Sequence, residues 1–262
     1  MCLILFAHDI HPRYRLVFAA NRDEFYSRPS AAMAFWRNAP AVLAGRDLKA
    51  GGTWMGITRT GRLAAITNFR DPSSVKDSAP SRGHLVGDFL TGSDGPERYL
   101  IGIRKQGQRY NGFNLIAGDR NGLFYYGNRA GKVRRIGSGV FGLSNHLLDT
   151  PWPKVKKGRA MLSHLLKTDH QSLPKALFNM LKDQSPPCDG QLPDTGVGRV
   201  LERMLAPLFI VSADYGTRCG TVLLWERTGR IDVWERTFRP VAGNAPAEAG
   251  TVHFSFHLEP DG

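Results

Sequence analysis

The sequence predicts an α+β fold: two antiparallel sheets packed together with pairs of helices on the outside. Two observations carry this. Strand-like runs come in neighbouring pairs joined by short turns, which is the pattern of antiparallel hairpins. Helical stretches come in pairs between blocks of hairpins, not singly between strands, which excludes a doubly wound parallel sheet. No break in composition divides the 262 residues, so a single domain over residues 1–262 is expected.

The first hairpin is residues 2–10 and 14–20, both rich in Leu, Ile, Val, Phe and Ala, with His11-Pro12-Arg13 as the turn. In an antiparallel pair the partner numbers add to a constant. A turn near residues 11–12 makes that sum roughly 23, which places Cys2 opposite a position near 21–23. The polar segment Asn21-Arg22-Asp23-Glu24 is thus brought beside Cys2 by register. A second hairpin joins WMGIT to RLAAITNF across Arg59-Thr60-Gly61, and Gly51-Gly52 before it marks a flexible or tightly bent approach.

Residues 81–91 read as a helix capped by Ser81, and residues 94–106 as another with Asp94 near the cap and Pro96 in the first turn. Strands return in FNLIAG, LFYYGN, KVRRI and VFGLSN, the first two joined by the turn Asp119-Arg120-Asn121-Gly122. Then PWPKVKKGRAMLSHLLK sets Val155, Leu162, Leu165 and Leu166 on one helical face, and SLPKALFNMLK repeats Leu173, Leu177 and Leu181 at i, i+4 and i+8. SPPCDGQLPDTG is a connector, VGRVLERMLAP a short helix, and LFIVSA, CGTVLLWE, RIDVWER and VHFSFHL close the chain as strands.

The composition is that of a globular protein, with 42% hydrophobic and 22% charged residues. No apolar run reaches the ~20 residues of a membrane span. The start lacks a basic segment before its short apolar stretch, so a signal peptide is not expected. Three scattered cysteines, Cys2, Cys188 and Cys219, make no disulfide framework. A soluble, cytoplasmic protein is expected. The net charge is +12, and from Arg129 to Lys167 nine basic residues face one acid, Asp149. That field favours an anionic partner, or is a solvated face. No nucleic-acid-binding signature accompanies it, so nucleic acid is not an expected partner.

The chemistry is sought at Cys2. Removal of Met1 would free an α-amine of pKa about 7.7–8.0 on the residue that carries a thiol of about 8.5. Such an amine serves as the thiol's own general base. Asp23 would accept from the α-ammonium, while Arg22 either anchors an anionic substrate or points away. The plain reading is that Cys2 is a small buried hydrophobe and the polar segment a strand end. His8, Asp9 and His11 lack metal-ligand spacing, and no metal site is expected. Cys188 reads as a loop residue and Cys219 as a packed strand residue. Trp54, after the glycine pair, is the tryptophan most suited to ligand contact.

NRDEFYSRP, AGRDLKAGGTWMGI, ITNFRDP, SRGHLVGDFL, YNGFNLIAGD, GLSNHLLDTPWPK and YGTRCGTVLL together resemble the NRDE family, that of the transport and Golgi organisation protein 2 homologues. The resemblance spans roughly residues 2–225. It implies the N-terminal nucleophile hydrolase fold, a four-layer αββα sandwich, akin to choloylglycine hydrolases and penicillin V acylases. Carried over residue by residue, it implies Cys2 as nucleophile, Asp23 as holder of the α-amine, Asn68 and Asn145 at the oxyanion, and Arg218 as a further site arginine. Asn21, Arg22, Glu24, Trp54 and His146 are the candidate ligand-binding residues. One departure stands out. Aligning Asn21 and Asp23 puts Ala20 where those hydrolases carry an arginine beside the thiolate.

The resemblance also implies handling of an amphipathic anion, haem or acyl-CoA. No cofactor is required, haem being a ligand, and His146 is the candidate axial residue. Three readings follow: a carrier of such an anion, placed first largely on the family resemblance and favoured by Ala20; an amidase or thioesterase using Cys2, favoured by Cys2, Asp23, Asn68 and Asn145; and an interaction module with a basic face. Oligomeric state is not legible in the sequence.

Overall fold

In a computed structural model, residues 2–168, 172–241 and 244–260 are described. The strands in chain order are β1 (Cys2–His8), β2 (Tyr14–Phe25), β3 (Ser30–Trp36), β4 (Ala39–Asp47), β5 (Met55–Thr58), β6 (Leu63–Asn68), β7 (Phe113–Asp119), β8 (Gly122–Gly127), β9 (Val133–Ile136), β10 (Gly139–Leu143), β11 (Tyr215–Glu226), β12 (Arg230–Val241) and β13 (Asn244–His257). The helices are α1 (Gly83–Thr91), α2 (Pro96–Gln106), α3 (Pro153–Leu165), α4 (Leu173–Leu181) and α5 (Arg199–Leu205). They form two antiparallel sheets, β10-β1-β2-β11-β12-β13 and β3-β4-β5-β6-β7-β8-β9. The chain clusters into two compact units, each built around one sheet.

In the first unit the long strands alternate strictly. Leu3, Leu5 and Ala7 of β1, Val17 and Ala19 of β2, and Val222 and Leu224 of β11 pack with Val155 and Leu162 of α3 and Leu177, Phe178 and Leu181 of α4. The period of two in the strands meets the 3.6-residue stripe of the helices. The alternate set, Ile4, Phe6, Phe18, Leu223 and Val233, is buried on the other face, where the rings of Phe6 and Phe18 stack with centroids 6.4 Å apart. A sheet buried on both faces reads as a continuous apolar run, which is why β1 lacks polar alternation. The first hairpin pairs Cys2 with Arg22 and His8 with Leu16, inside the register range expected from the turn.

In the second unit α1 and α2 lie against one face of the seven-stranded sheet. Leu85, Val86, Phe89, Leu100 and Ile103 pack with Ala64, Ile66, Phe113, Leu115 and Ala117. The glycine pair before β5 takes the tightly bent alternative. Gly51 sits at φ +76°, and a Cβ on Gly52 would lie 2.5 Å from the carbonyl carbon of Gly83. Two backbones touch there, at the start of α1.

Several local expectations are corrected. Ser81 is not the cap of α1: the helix starts at Gly83 after Arg82, without a side-chain cap. Asp94 lies next to the N-cap Gly95 with Pro96 in the first turn of α2, as expected, and it makes an i,i+4 ion pair with Arg98 at 3.2 Å. LFIVSA is not a strand. Only Val211 forms a bridge, with Gly216, while Leu208, Phe209 and Ile210 are buried as irregular chain. Strands β3 and β4 had no distinct sequence signal, and the final strand starts earlier than VHFSFHL. No helix among the described residues is long and apolar enough to cross a membrane.

Candidate active site

Cys2 begins β1, half-buried, and its Cα partner is Arg22 on β2. Directly opposed residues in an antiparallel pair share a face, so the thiol and the guanidinium project to the same side of the sheet. Arg22 is 5% exposed. The choice left open by the sequence is thereby decided: Arg22 does not point away from Cys2. Ala20 is opposite Ile4, and two residue pairs further along the same strands Arg22 is opposite Cys2.

The thiol feels opposing influences. Burial pushes it up and Asp23's charge adds to that, while the charge of the chain's N-terminal ammonium, then Arg22 and a hydrogen bond from the Asp23 backbone N–H, pull it down. The net direction is upward. Asp23 itself is 1% exposed. Burial raises its carboxyl above the usual range, against the pull of Lys154, the Thr217 hydroxyl and Arg22. Thr217 Oγ1 donates to Asp23 Oδ1 at 2.7 Å, and the Tyr215 hydroxyl donates to the Asp23 carbonyl at 3.0 Å. By alternation Asp23 lies on the helix side of the sheet, with Lys154 of α3, and on the other side from the Cys2 thiol. The register continues from Cys2–Arg22 toward Asp23, so the backbone nitrogen of Cys2 runs toward Asp23.

Ser144 Oγ donates to the Cys2 carbonyl at 3.3 Å, anchoring the strand end. Asn21 Nδ2 donates to the carbonyls of Leu181 and Leu208, each at 2.9 Å. Its amide nitrogen clamps α4 and the following chain to β2. Arg218 sits at the bulge between Thr217 and Cys219 and donates from Nη1 to the carbonyls of Phe25 and Tyr26 at 2.9 and 3.1 Å. Burial and the charge of Arg22 push it down. Glu24 is partnered with Gly216, and its Oε1 accepts from the Phe25 N–H at 2.9 Å.

The remaining expected residues belong to the second unit. Asn145 Nδ2 donates to the Asn68 carbonyl at 2.9 Å, so these two are neighbours. The His146 ring lies 4.8 Å from that of Phe69, burial lowers its pKa, and its carbonyl accepts from Asn114 at 2.9 Å. Trp54 lies against Gly45, where a Cβ would meet its ring at 2.4 Å, so the indole is packed over backbone. Among the described residues no group of acids, histidines and cysteines is arranged to hold a metal.

The first unit also holds a cavity of about 430 Å³, lined among others by Lys154, Lys156, Lys157, Ser185, Pro187 and Leu208. Lys157 pairs with Asp183 at 2.7 Å. Thr217 and Tyr215 carry no role in the sequence reading, and Lys154 enters it only as part of the basic segment. They lie in the PWPK and YGTRCG motifs, whose identity was legible while their contacts were not.

A family model described as Transport and Golgi organisation 2 matches residues 1–240. The chain belongs to that family. It is 37% identical over 279 residues to the Transport and Golgi organization protein 2 homolog of Bos taurus, covering 99% of this chain and 100% of that one. To the Homo sapiens homolog it is 40% identical over 258 residues, covering 90% and 93%. Two solved structures are similar at 9% identity. One is a Caenorhabditis elegans N-acylethanolamine-hydrolyzing acid amidase ortholog, with TM-score 0.47 over 85% of this chain and 92% of that one. The other is the C2A mutant of the conjugated bile acid hydrolase from Clostridium perfringens, with TM-score 0.41 over 99% and 97%.

Proposed function

We propose that this family member is a hydrolase of amide or thioester bonds with Cys2 as nucleophile. The observation that carries this is the pairing of Cys2 with Arg22 on one face of the sheet. It answers the departure at Ala20, because a buried cation beside a thiol favours the thiolate. After removal of Met1 the free α-amine takes the thiol proton, and Asp23 orients the resulting ammonium. The thiolate attacks the substrate carbonyl, and the ammonium returns its proton to the leaving amine or thiol. An acyl-enzyme remains, which water cleaves to release the acid and regenerate the thiol. The resemblance assigns the oxyanion donors to Asn68 and Asn145, with Arg218 as a further site arginine, and these roles are part of the proposal.

The test is the intact mass of the purified protein before and after brief exposure to iodoacetamide at neutral pH, followed by amide and thioester turnover. A mass lacking Met1, fast alkylation at Cys2, and turnover abolished by Cys2→Ala are expected. A retained Met1 with an inert Cys2 refutes the proposal.

A second reading, a carrier of an amphipathic anion such as haem or acyl-CoA, draws support from the lysine-lined cavity, whose prolines and Leu208 add apolar wall. Cys2→Ala leaves ligand binding unchanged under that reading.

A further inference from the structure

Four strands place one line of side chains across the sheet. Cys2 is opposite Arg22, Arg22 is opposite Cys219 on β11, and Cys219 is opposite Thr237 on β12. All four share the face turned away from α3 and α4. Glu235, two residues before Thr237, is on that same face. Glu235 is 1% and Cys219 5% exposed.

Cys219 reports on both charged neighbours. Burial raises its thiol well above the ordinary value, Glu235 adds to that by charge and as acceptor of the thiol's hydrogen bond, and Arg22 acts in the opposite direction. Arg22 and Glu235 thus flank one small, protonated side chain. A carboxylate and a guanidinium this deeply buried are tolerated when each offsets the other's desolvation.

Their distances from Cys2 differ. β12 is three strand steps from β1, about 14 Å, while β2 is one step, about 5 Å. The direct effect of Glu235 on the Cys2 thiol is therefore weak beside that of Arg22. Arg22 has a long side chain with several staggered rotamers, and what fixes the guanidinium decides how much of its charge the thiol feels. Asp23 and Glu24 on β2, Tyr26 just after it, Arg218 on β11, Lys154 on α3 and the N-terminal ammonium are further charged or titratable groups around this end of the sheet. Lys154 acts on the helix side, at Asp23.

We infer that Glu235 is a positioning residue, holding the Arg22 guanidinium in line beside the Cys2 sulfur across the neutral Cys219 thiol. Its functional meaning rests on the proposal that Cys2 is the nucleophile, but its test does not require turnover. The rate of alkylation of the Cys2 peptide by iodoacetamide is measured against pH for the unaltered protein, Glu235→Gln, Arg22→Gln and the double variant.

Glu235→Gln and Arg22→Gln are each expected to raise the midpoint by about one pH unit, slowing alkylation about tenfold at neutral pH. The double variant is expected to match Arg22→Gln alone, because Glu235 acts through Arg22. Glu235→Asp, which keeps the charge one methylene further back, is expected to shift the midpoint less, and it serves if the glutamine variant does not fold. An unchanged or lowered midpoint in the folded variants, or additive effects in the double variant, overturns the inference. Normal midpoints with no turnover on any substrate would count against the hydrolase proposal alone.

Discussion

Arg22 stands directly across the β1–β2 pair from Cys2, and the two side chains share a buried face of the sheet. Asp23, one residue on, is turned to the other side, where the Thr217 hydroxyl and Lys154 meet it. One strand end thus offers a cation to the thiol and a carboxylate toward the chain's start, because neighbours on a strand face opposite ways.

The charge of Arg22, not its bulk, is expected to matter for Cys2. Arg22→Lys should hold the alkylation rate of Cys2 within about threefold, while Arg22→Gln should lower it about tenfold at pH 7. Alkylation followed by mass spectrometry reads both. Equal rates in the two variants would separate the thiol from this cation.

Asp23 is expected to lower stability as pH rises. Burial lifts its folded-state pKa above the ordinary carboxylate value, so the folded state holds its proton more tightly than the unfolded chain does. That contribution is fully present below the unfolded pKa of about 3.9 and is lost as pH rises through the folded value. Thermal unfolding of the unaltered protein and of Asp23→Asn from pH 3.5 upward reads this. The difference should move in favour of the asparagine variant as pH rises through the folded value, although that variant should turn over substrate more slowly than the unaltered protein. A pH-independent difference would mean that the carboxyl is not perturbed.

The lysines at the cavity give the carrier reading a separate check. Lys156→Glu with Lys157→Glu should weaken binding of a haem or acyl-CoA probe at least tenfold and flatten its salt dependence. Loss of the partly exposed Lys157–Asp183 pair should cost under about 1 kcal/mol of stability. Unchanged affinity and salt dependence would make this segment a solvated face.

Gly52 is expected to tolerate no side chain. A Cβ there meets the backbone of Gly83 at 2.5 Å, and backbone cannot rotate away. Gly52→Ala should destabilise by about 1–3 kcal/mol, the range for overpacking. Denaturant unfolding measures it, and a change below about 0.5 kcal/mol would show that the two backbones can separate.

Local pattern determined much of this protein in advance. The period-two runs, the turn at His11-Pro12-Arg13 and the paired helical stripes specified antiparallel sheets with helices in pairs, and turn position confined the partner of Cys2 to residues 21–23. Where pattern was weak, the reading was too: β3 and β4 alternate poorly, and Leu208, Phe209 and Ile210 are apolar because they are buried, not because they form a strand. At the candidate site the sequence supplied Cys2, the polar segment opposite it and the family. Which side of β2 Arg22 takes was decided by a single residue of register, since one step of slip exchanges the two faces. Lys154, Cys219 and Glu235 reach this sheet end from a helix and from strands some 150 to 230 residues away in the chain. Their roles arise from charges brought together by tertiary packing, which acts through space and leaves no local trace in the order of residues.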